Sequence, residues 1–104
     1  MSRIIGTEEF NLEVRSSDGI KVVDFFATWC GPCKMLAPVF ESVSEELDEA
    51  MFVKVDIDQS LELAQKFGIS TVPTMMIFKD GQVVDKLVGF MPKDSLKAKV
   101  EAHL

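Results

Sequence analysis

Lys21-Val22-Val23-Asp24-Phe25-Phe26, then Ala27-Thr28, then Trp29-Cys30-Gly31-Pro32-Cys33-Lys34, sets the architecture of this chain. The first six residues form a β-branched and aromatic run without regular polar alternation, the pattern of a strand covered on both faces. The last six carry both cysteines of the chain, two residues apart. On the opening turn of a helix, that spacing brings the second sulfur within bonding reach of the first, so the pair can close and open. Such a ring is a poor structural staple: chain entropy gives it about 2 kcal/mol, against about 4.7 kcal/mol for a 100-residue loop. An exchangeable bond or part of a metal site are the readings that fit.

The chain around this stretch has 104 residues, enough for one domain (1–104) and too few for two. With 47% hydrophobic and 27% charged residues it has the composition of an ordinary globular protein and not of a disordered one. Eleven basic against 17 acidic residues give a net charge of -6, which opposes binding to nucleic acid or an anionic membrane. Met1 to Gly6 contains no apolar run of signal-peptide length, and no stretch approaches the ~20 apolar residues of a membrane span. A cytoplasmic protein is expected, and in that reducing compartment a lone CxxC is catalytic or metal-binding more often than structural.

Working outward, Ile4-Ile5 reads as a short first strand and Thr7 as the N-cap of a helix through Phe10 and Val14. After the cysteines, Leu36, Val39, Phe40, Val43 and Leu47 recur at spacings of three and four, an amphipathic helix whose apolar period continues past Pro38, so that Pro38 kinks it without ending it. Met51 to Ile57 reads as a strand and Ser60 to Phe67 as a short helix stopped by Gly68. Thr74 to Lys79 and Gln82 to Val88, joined by Asp80-Gly81, form a hairpin signal, with Gly89 ending the second strand. Pro92 suits a first helical turn, and Leu96, Val100 and Leu104 line one side of a terminal helix. The order βαβαβα followed by ββα implies a mixed sheet with right-handed parallel crossovers and helices on both faces.

Other site signals fail. Zinc needs four ligands as a rule, and the further candidate beside the cysteines is His103 at the far terminus. Asp56-Ile57-Asp58 begins like a calcium loop, but Leu61 and Phe67 stand where the loop requires glycine and glutamate. No phosphate-cradling glycine motif is present. The six methionines are scattered and read as core filler.

Val23-Asp24-Phe25, Trp29-Cys30-Gly31-Pro32-Cys33-Lys34, Val72-Pro73-Thr74 and Gly89 together resemble the thioredoxin family over nearly the whole chain. The resemblance implies the thioredoxin fold, an α/β architecture whose central mixed sheet is built as βαβαβ plus ββα. It implies a thiol-disulfide oxidoreductase, monomeric and free of metal or cofactor, that serves electron transport and cell redox homeostasis. Such a protein reduces disulfides of target proteins and is re-reduced by an external thioredoxin reductase, since nothing in this chain suggests a flavin or nicotinamide site. A binding module that clamps partners on the same surface, with incidental thiols, is the alternative.

Under this resemblance Cys30 is the nucleophile. It lies at the helix N-terminus, where free N–H groups and the positive end of the dipole favour a thiolate. A thiol of pKa ~8.5 is only about 3% ionised at neutral pH, so each unit of depression yields up to tenfold more nucleophile. Cys33, within the first turn, is expected to be more shielded and to resolve the mixed disulfide. Gly31 and Pro32 add no polar side chain, leaving the dipole as the main stabiliser. Asp24 is an acid in an apolar strand, so burial should raise its pKa; by resemblance it is the general base for Cys33, with Lys54 beside it on the neighbouring strand. Pro73 is implied to be cis and to face the cysteines, with Val72 offering backbone groups to an extended substrate segment. Trp29, Val72, Gly89 and Phe90 rim the apolar docking patch. Two departures stand out: Phe26 replaces a second tryptophan, and Phe90 is larger than the small residue common beside the glycine.

Overall fold

In the computed structural model, which describes residues 2–104, strand β2 (Ile20–Phe26) is the middle strand of a five-stranded sheet, and all seven of its residues are buried. Met1, the first residue of the expected domain, lies outside the described residues. Around β2 the chain runs β1 (Ser2–Ile4), α1 (Thr7–Phe10) continuing into a π-helical turn (Asn11–Arg15), α2 (Gly31–Glu46), β3 (Ala50–Asp56), α3 (Leu61–Lys66), β4 (Thr74–Lys79), β5 (Gln82–Val88) and α4 (Lys93–Glu101). The sheet order is β1-β3-β2-β4-β5, with β1, β3 and β2 parallel and β4 and β5 each antiparallel to their inner neighbour. This is the expected order of elements, in an α/β mixed sheet.

Pleating splits β2 between two cores. Ile20 and Val22 pack with Leu36, Phe40 and Val43 of α2 and with Leu96 and Val100 of α4. Val23 and Phe25 face the other way, onto Phe10, Val14 and Leu63. There Phe10 stands edge-on to Phe67 and Phe78, each 5.6 Å away between ring centres, a geometry that aligns ring edges with ring faces. Asp24 shares the α2 side of the strand with Val22, which decides the chemistry below.

The local stops have identifiable causes. Helix α3 ends in a Schellman motif: Gly68 takes φ +64°, Ile69 N–H donates to Ala64 C=O at 2.8 Å, and Gly68 N–H to Gln65 C=O at 3.3 Å. The hairpin turn has positive φ at both Asp80 (51°) and Gly81 (84°), the twist that suits a two-residue connection. Helix α2 continues through Pro38.

Three expectations are corrected. Thr7 is the first helical residue and Gly6 the cap, because the Glu9 carboxylate turns back to accept the Gly6 N–H at 3.0 Å. Strand β1 starts two residues early and ends one early, at Ser2–Ile4, held in register by Ile4 against Lys54. Leu104 does not line α4: the helix ends at Glu101, and Leu104 is 48% exposed while Leu96 and Val100 are buried.

Two glycines separate backbone strain from steric blockage. A Cβ on Gly68 meets nothing within 4 Å, whereas one on Gly81 falls 2.3 Å from the Arg15 carbonyl oxygen, where the π-helical turn closes against the hairpin. Gly68→Ala is therefore expected to cost about 1 kcal/mol from left-handed φ alone. Gly81→Ala is expected to cost at least about twice that, since the backbone of Arg15 must also move. Urea unfolding of the two variants measures both.

Candidate active site

Strand β2 delivers the chain to the N-terminus of α2, and that junction assembles the site. Cys30 is the N-cap, with extended backbone (φ -91°, ψ 115°), and Pro32 occupies the first helical turn, where its missing N–H leaves no bond unmade. Cys30 and Cys33 are joined in a disulfide with Cα atoms 5.3 Å apart. The Cys33 N–H donates to Cys30 Sγ at 3.1 Å, so a donor at the positive end of a 16-residue helix already points at the sulfur that would carry charge once reduced.

The sulfurs pack with Phe26 and Ala27 from the end of β2 and against Ile57 and Val72. Shielding does not separate the cysteines as expected: Cys30 is 5% and Cys33 4% exposed, because the closed ring tucks both into this cluster. Position separates them instead, since Cys30 sits at the cap and receives the N–H while Cys33 lies within the helix.

The Val72–Pro73 peptide is cis, and the Val72 carbonyl oxygen lies 3.6 Å from Cys30 Sγ. Gly89 N–H donates to Pro73 C=O at 2.8 Å, carrying the β4–β5 pairing one step past Thr74 and Val88. Gly89 does so at φ +90°, a conformation side chains disfavour, and the chain then leaves the sheet toward Phe90. Trp29 is 68% and Phe90 42% exposed, and Gly31 and Pro32 are exposed between the cysteines.

Asp24 is fully buried, and neither carboxylate oxygen has a hydrogen-bond partner. Burial pushes its pKa up to about 7, against the pull of the Lys54 ammonium. Lys54 is the residue paired with Asp24 in the β2–β3 register, yet its Nζ rests 4.7 Å over the centre of the Phe26 ring. Phe26, Ala27, Thr28, Cys33, Lys34, Ala37 and Lys54 line a cleft of about 240 Å³ between α2 and the sheet. No cluster of three metal-ligating side chains occurs among the described residues; His103 instead bonds Asp85 at 3.1 Å.

One neighbour of the site escaped the sequence reading. Asp58, considered only as part of a failed calcium loop, accepts the Trp29 indole N–H at 3.0 Å, and its own N–H donates to Asp56 Oδ1 at 2.9 Å. The signal available was an Asp-x-Asp at the carboxyl end of a parallel strand, where sites collect in open α/β sheets.

Comparison with known proteins agrees over the full length. The family model described as Thioredoxin matches residues 2–102. The thioredoxin of Staphylococcus saprophyticus is 44% identical over 102 residues, covering 97% of this chain and 98% of that one. That of Bacillus subtilis is 42% identical with the same coverage. Among solved structures, the thioredoxin of Plasmodium falciparum aligns with a TM-score of 0.90 at 37% identity, covering 98% of this chain and 99% of that one. The thioredoxin of Malassezia sympodialis aligns with a TM-score of 0.89 at 40% identity, over 99% and 90%.

Asp24 makes stability fall as pH rises. Its folded pKa, about 7, lies well above the ordinary aspartate range, so between about pH 4 and 7 the folded state holds a proton the unfolded state has lost. The contribution is present below pH 4 and gone above pH 7, a swing on the order of 4 kcal/mol from about three units of pKa. Half-buried carboxylates such as Glu41 and Asp85, held low by their partners, slope the other way. The expected outcome is read as a difference: in urea unfolding of the oxidised protein at pH 5, 7 and 8.5, wild type loses stability relative to Asp24→Asn. Parallel profiles would refute the raised pKa.

Proposed function

Since this chain belongs to the thioredoxin family, we propose that it reduces disulfides of target proteins, with Cys30 attacking and Cys33 resolving. It is a thiol-disulfide oxidoreductase, by that membership and by its cysteine pair. The observation that carries the finer reading is the Cys33 N–H aimed at Cys30 Sγ on the N-terminus of α2.

The proposed cycle starts with both thiols reduced. The Cys30 thiolate attacks one sulfur of the target disulfide; that bond breaks, a mixed disulfide forms, and the departing sulfur takes up a proton. Asp24 then removes the Cys33 proton through water in the cleft beside Lys54. Cys33 attacks Cys30 Sγ, closing the intramolecular disulfide and releasing the second target sulfur, again protonated. The target gains two electrons and two protons, and this chain loses them. A carboxyl titrating near 7 is suited to accept and return a proton at neutral pH.

Val72 holds an extended target segment by its backbone, Pro73 presents no N–H or metal-binding group beside the sulfurs, and Trp29, Gly31, Pro32, Gly89 and Phe90 supply the docking rim. Thioredoxins as a family act on disulfide-bearing proteins and are re-reduced by thioredoxin reductase, and the same donor is proposed here. The chain is further proposed to act as a monomeric single domain in the cytoplasm. In support, no helix among the described residues is long and apolar enough to cross a membrane.

An insulin-type disulfide reduction assay with candidate reductases tests the function: wild type turns over, and Cys30→Ser does not. Cys33→Ser should accumulate stable mixed disulfides through Cys30, seen by mass spectrometry. A double cysteine-to-serine variant that keeps its partners and its cellular role would establish a clamp in place of an enzyme. Asp24→Asn should slow resolution near pH 7 by roughly a hundredfold or more, the usual worth of a positioned base. Stopped-flow decay of the mixed disulfide measures it, and an unchanged rate would remove Asp24 from the mechanism.

A further inference from the structure

The Lys54 ammonium has two attractive neighbours and occupies one. Register places Asp24 directly across from Lys54, and Phe26, two residues on along β2, at the diagonal on the same face. The ammonium lies over the Phe26 ring, 4.7 Å from its centre, while both oxygens of the buried Asp24 carboxyl go without a partner. An aromatic face and a carboxylate compete for the same cation, one by its quadrupole and the other by its charge when ionised. The cleft is lined by Phe26, Lys54 and Cys33 together, so the competition sits beside the sulfur whose proton is to be moved.

We propose that Phe26 is a positioning residue whose ring holds the Lys54 ammonium off the Asp24 carboxyl and thereby sets how readily that carboxyl accepts a proton. While the cation rests on the ring, the buried carboxyl favours its protonated form. When Asp24 is ionised the cation is drawn toward its charge, and when it takes the Cys33 proton that pull ends and the cation rests on the ring. The other charged or titratable groups about this face are few. Helix α2 contributes Cys33, Lys34 at the cleft wall and Glu41, which senses Lys54. Strand β3 contributes Asp56, paired with Phe26, and β4 offers Met75 opposite Asp24, which does not titrate.

The functional consequence rests on the reading of Asp24 as the base for Cys33, but the titration does not, so the two are tested apart. The probe is the Asp24 carboxyl carbon resonance in carbon-13-labelled oxidised protein, where the closed disulfide keeps the cysteines from titrating. Phe26→Leu removes the ring face and keeps an apolar side chain; with the cation released toward Asp24, the midpoint should fall, a roughly threefold to tenfold rise in acidity. Phe26→Trp, with a stronger aromatic face, should keep or raise the midpoint. Lys54→Gln should raise it.

Phe26→Leu also opens the cleft to water, which would lower the midpoint without any part for Lys54. The double variant separates the two causes. If the ring acts through the cation, adding Phe26→Leu to Lys54→Gln leaves the midpoint where Lys54→Gln alone put it. A fall of the same size in both backgrounds, or no fall in either, overturns the proposal. Should Phe26→Leu not fold, Phe26→Trp against wild type and Lys54→Gln still decides it: a Phe26→Trp midpoint lowered in the presence of Lys54 is the wrong sign. A resolution rate indifferent to Asp24→Asn would defeat the base reading and leave these titrations standing.

Discussion

Strand β2 is sealed on every side, hydrogen-bonded to β3 and β4 in the plane of the sheet and covered by helices above and below. The parallel βαβ unit it opens needs a helix over one face, which fixes where α2 must start. That start is the cysteine pair. The same sealing leaves Asp24 without a solvent shell, so its proton affinity follows from the architecture and not from any partner dedicated to raising it. The placement of the cysteine pair and the raised proton affinity of the buried carboxyl are thus two results of one enclosed strand.

The stability of this arrangement comes from elsewhere in the molecule. The apolar stripe of α2 and the facing residues of α4 bury one side of the sheet, and the phenylalanine cluster around Phe10 buries the other. Neither cluster contains a cysteine. The protein can therefore carry an unpartnered buried carboxyl and an openable disulfide at one end, because neither is required to hold the sheet together.

What the sequence made legible were features set by short-range chemistry. The hairpin announced itself through Asp80-Gly81, where two positive φ values are needed, and α3 through Gly68, which its Schellman motif requires. The run from Val22 to Phe26 gave the central strand because a strand sealed on both faces has few ways to be polar. What stayed hidden were contacts decided by the relative placement of elements. Asp58 meets the Trp29 indole only because the loop after β3 folds back over the start of α2. Lys54 finds the Phe26 ring through a strand register that spacing in one chain segment does not reveal. The even burial of Cys30 and Cys33 belongs to the closed ring, and a linear motif shows the spacing and not the packing.

Trp29 is the one indole of the chain, tyrosine is absent, and its N–H is fixed by Asp58 immediately beside Cys30. With phenylalanine at position 26, indole emission from this protein has one source, placed in the chain next to the cysteine pair, and reports on that end of the sheet without a label.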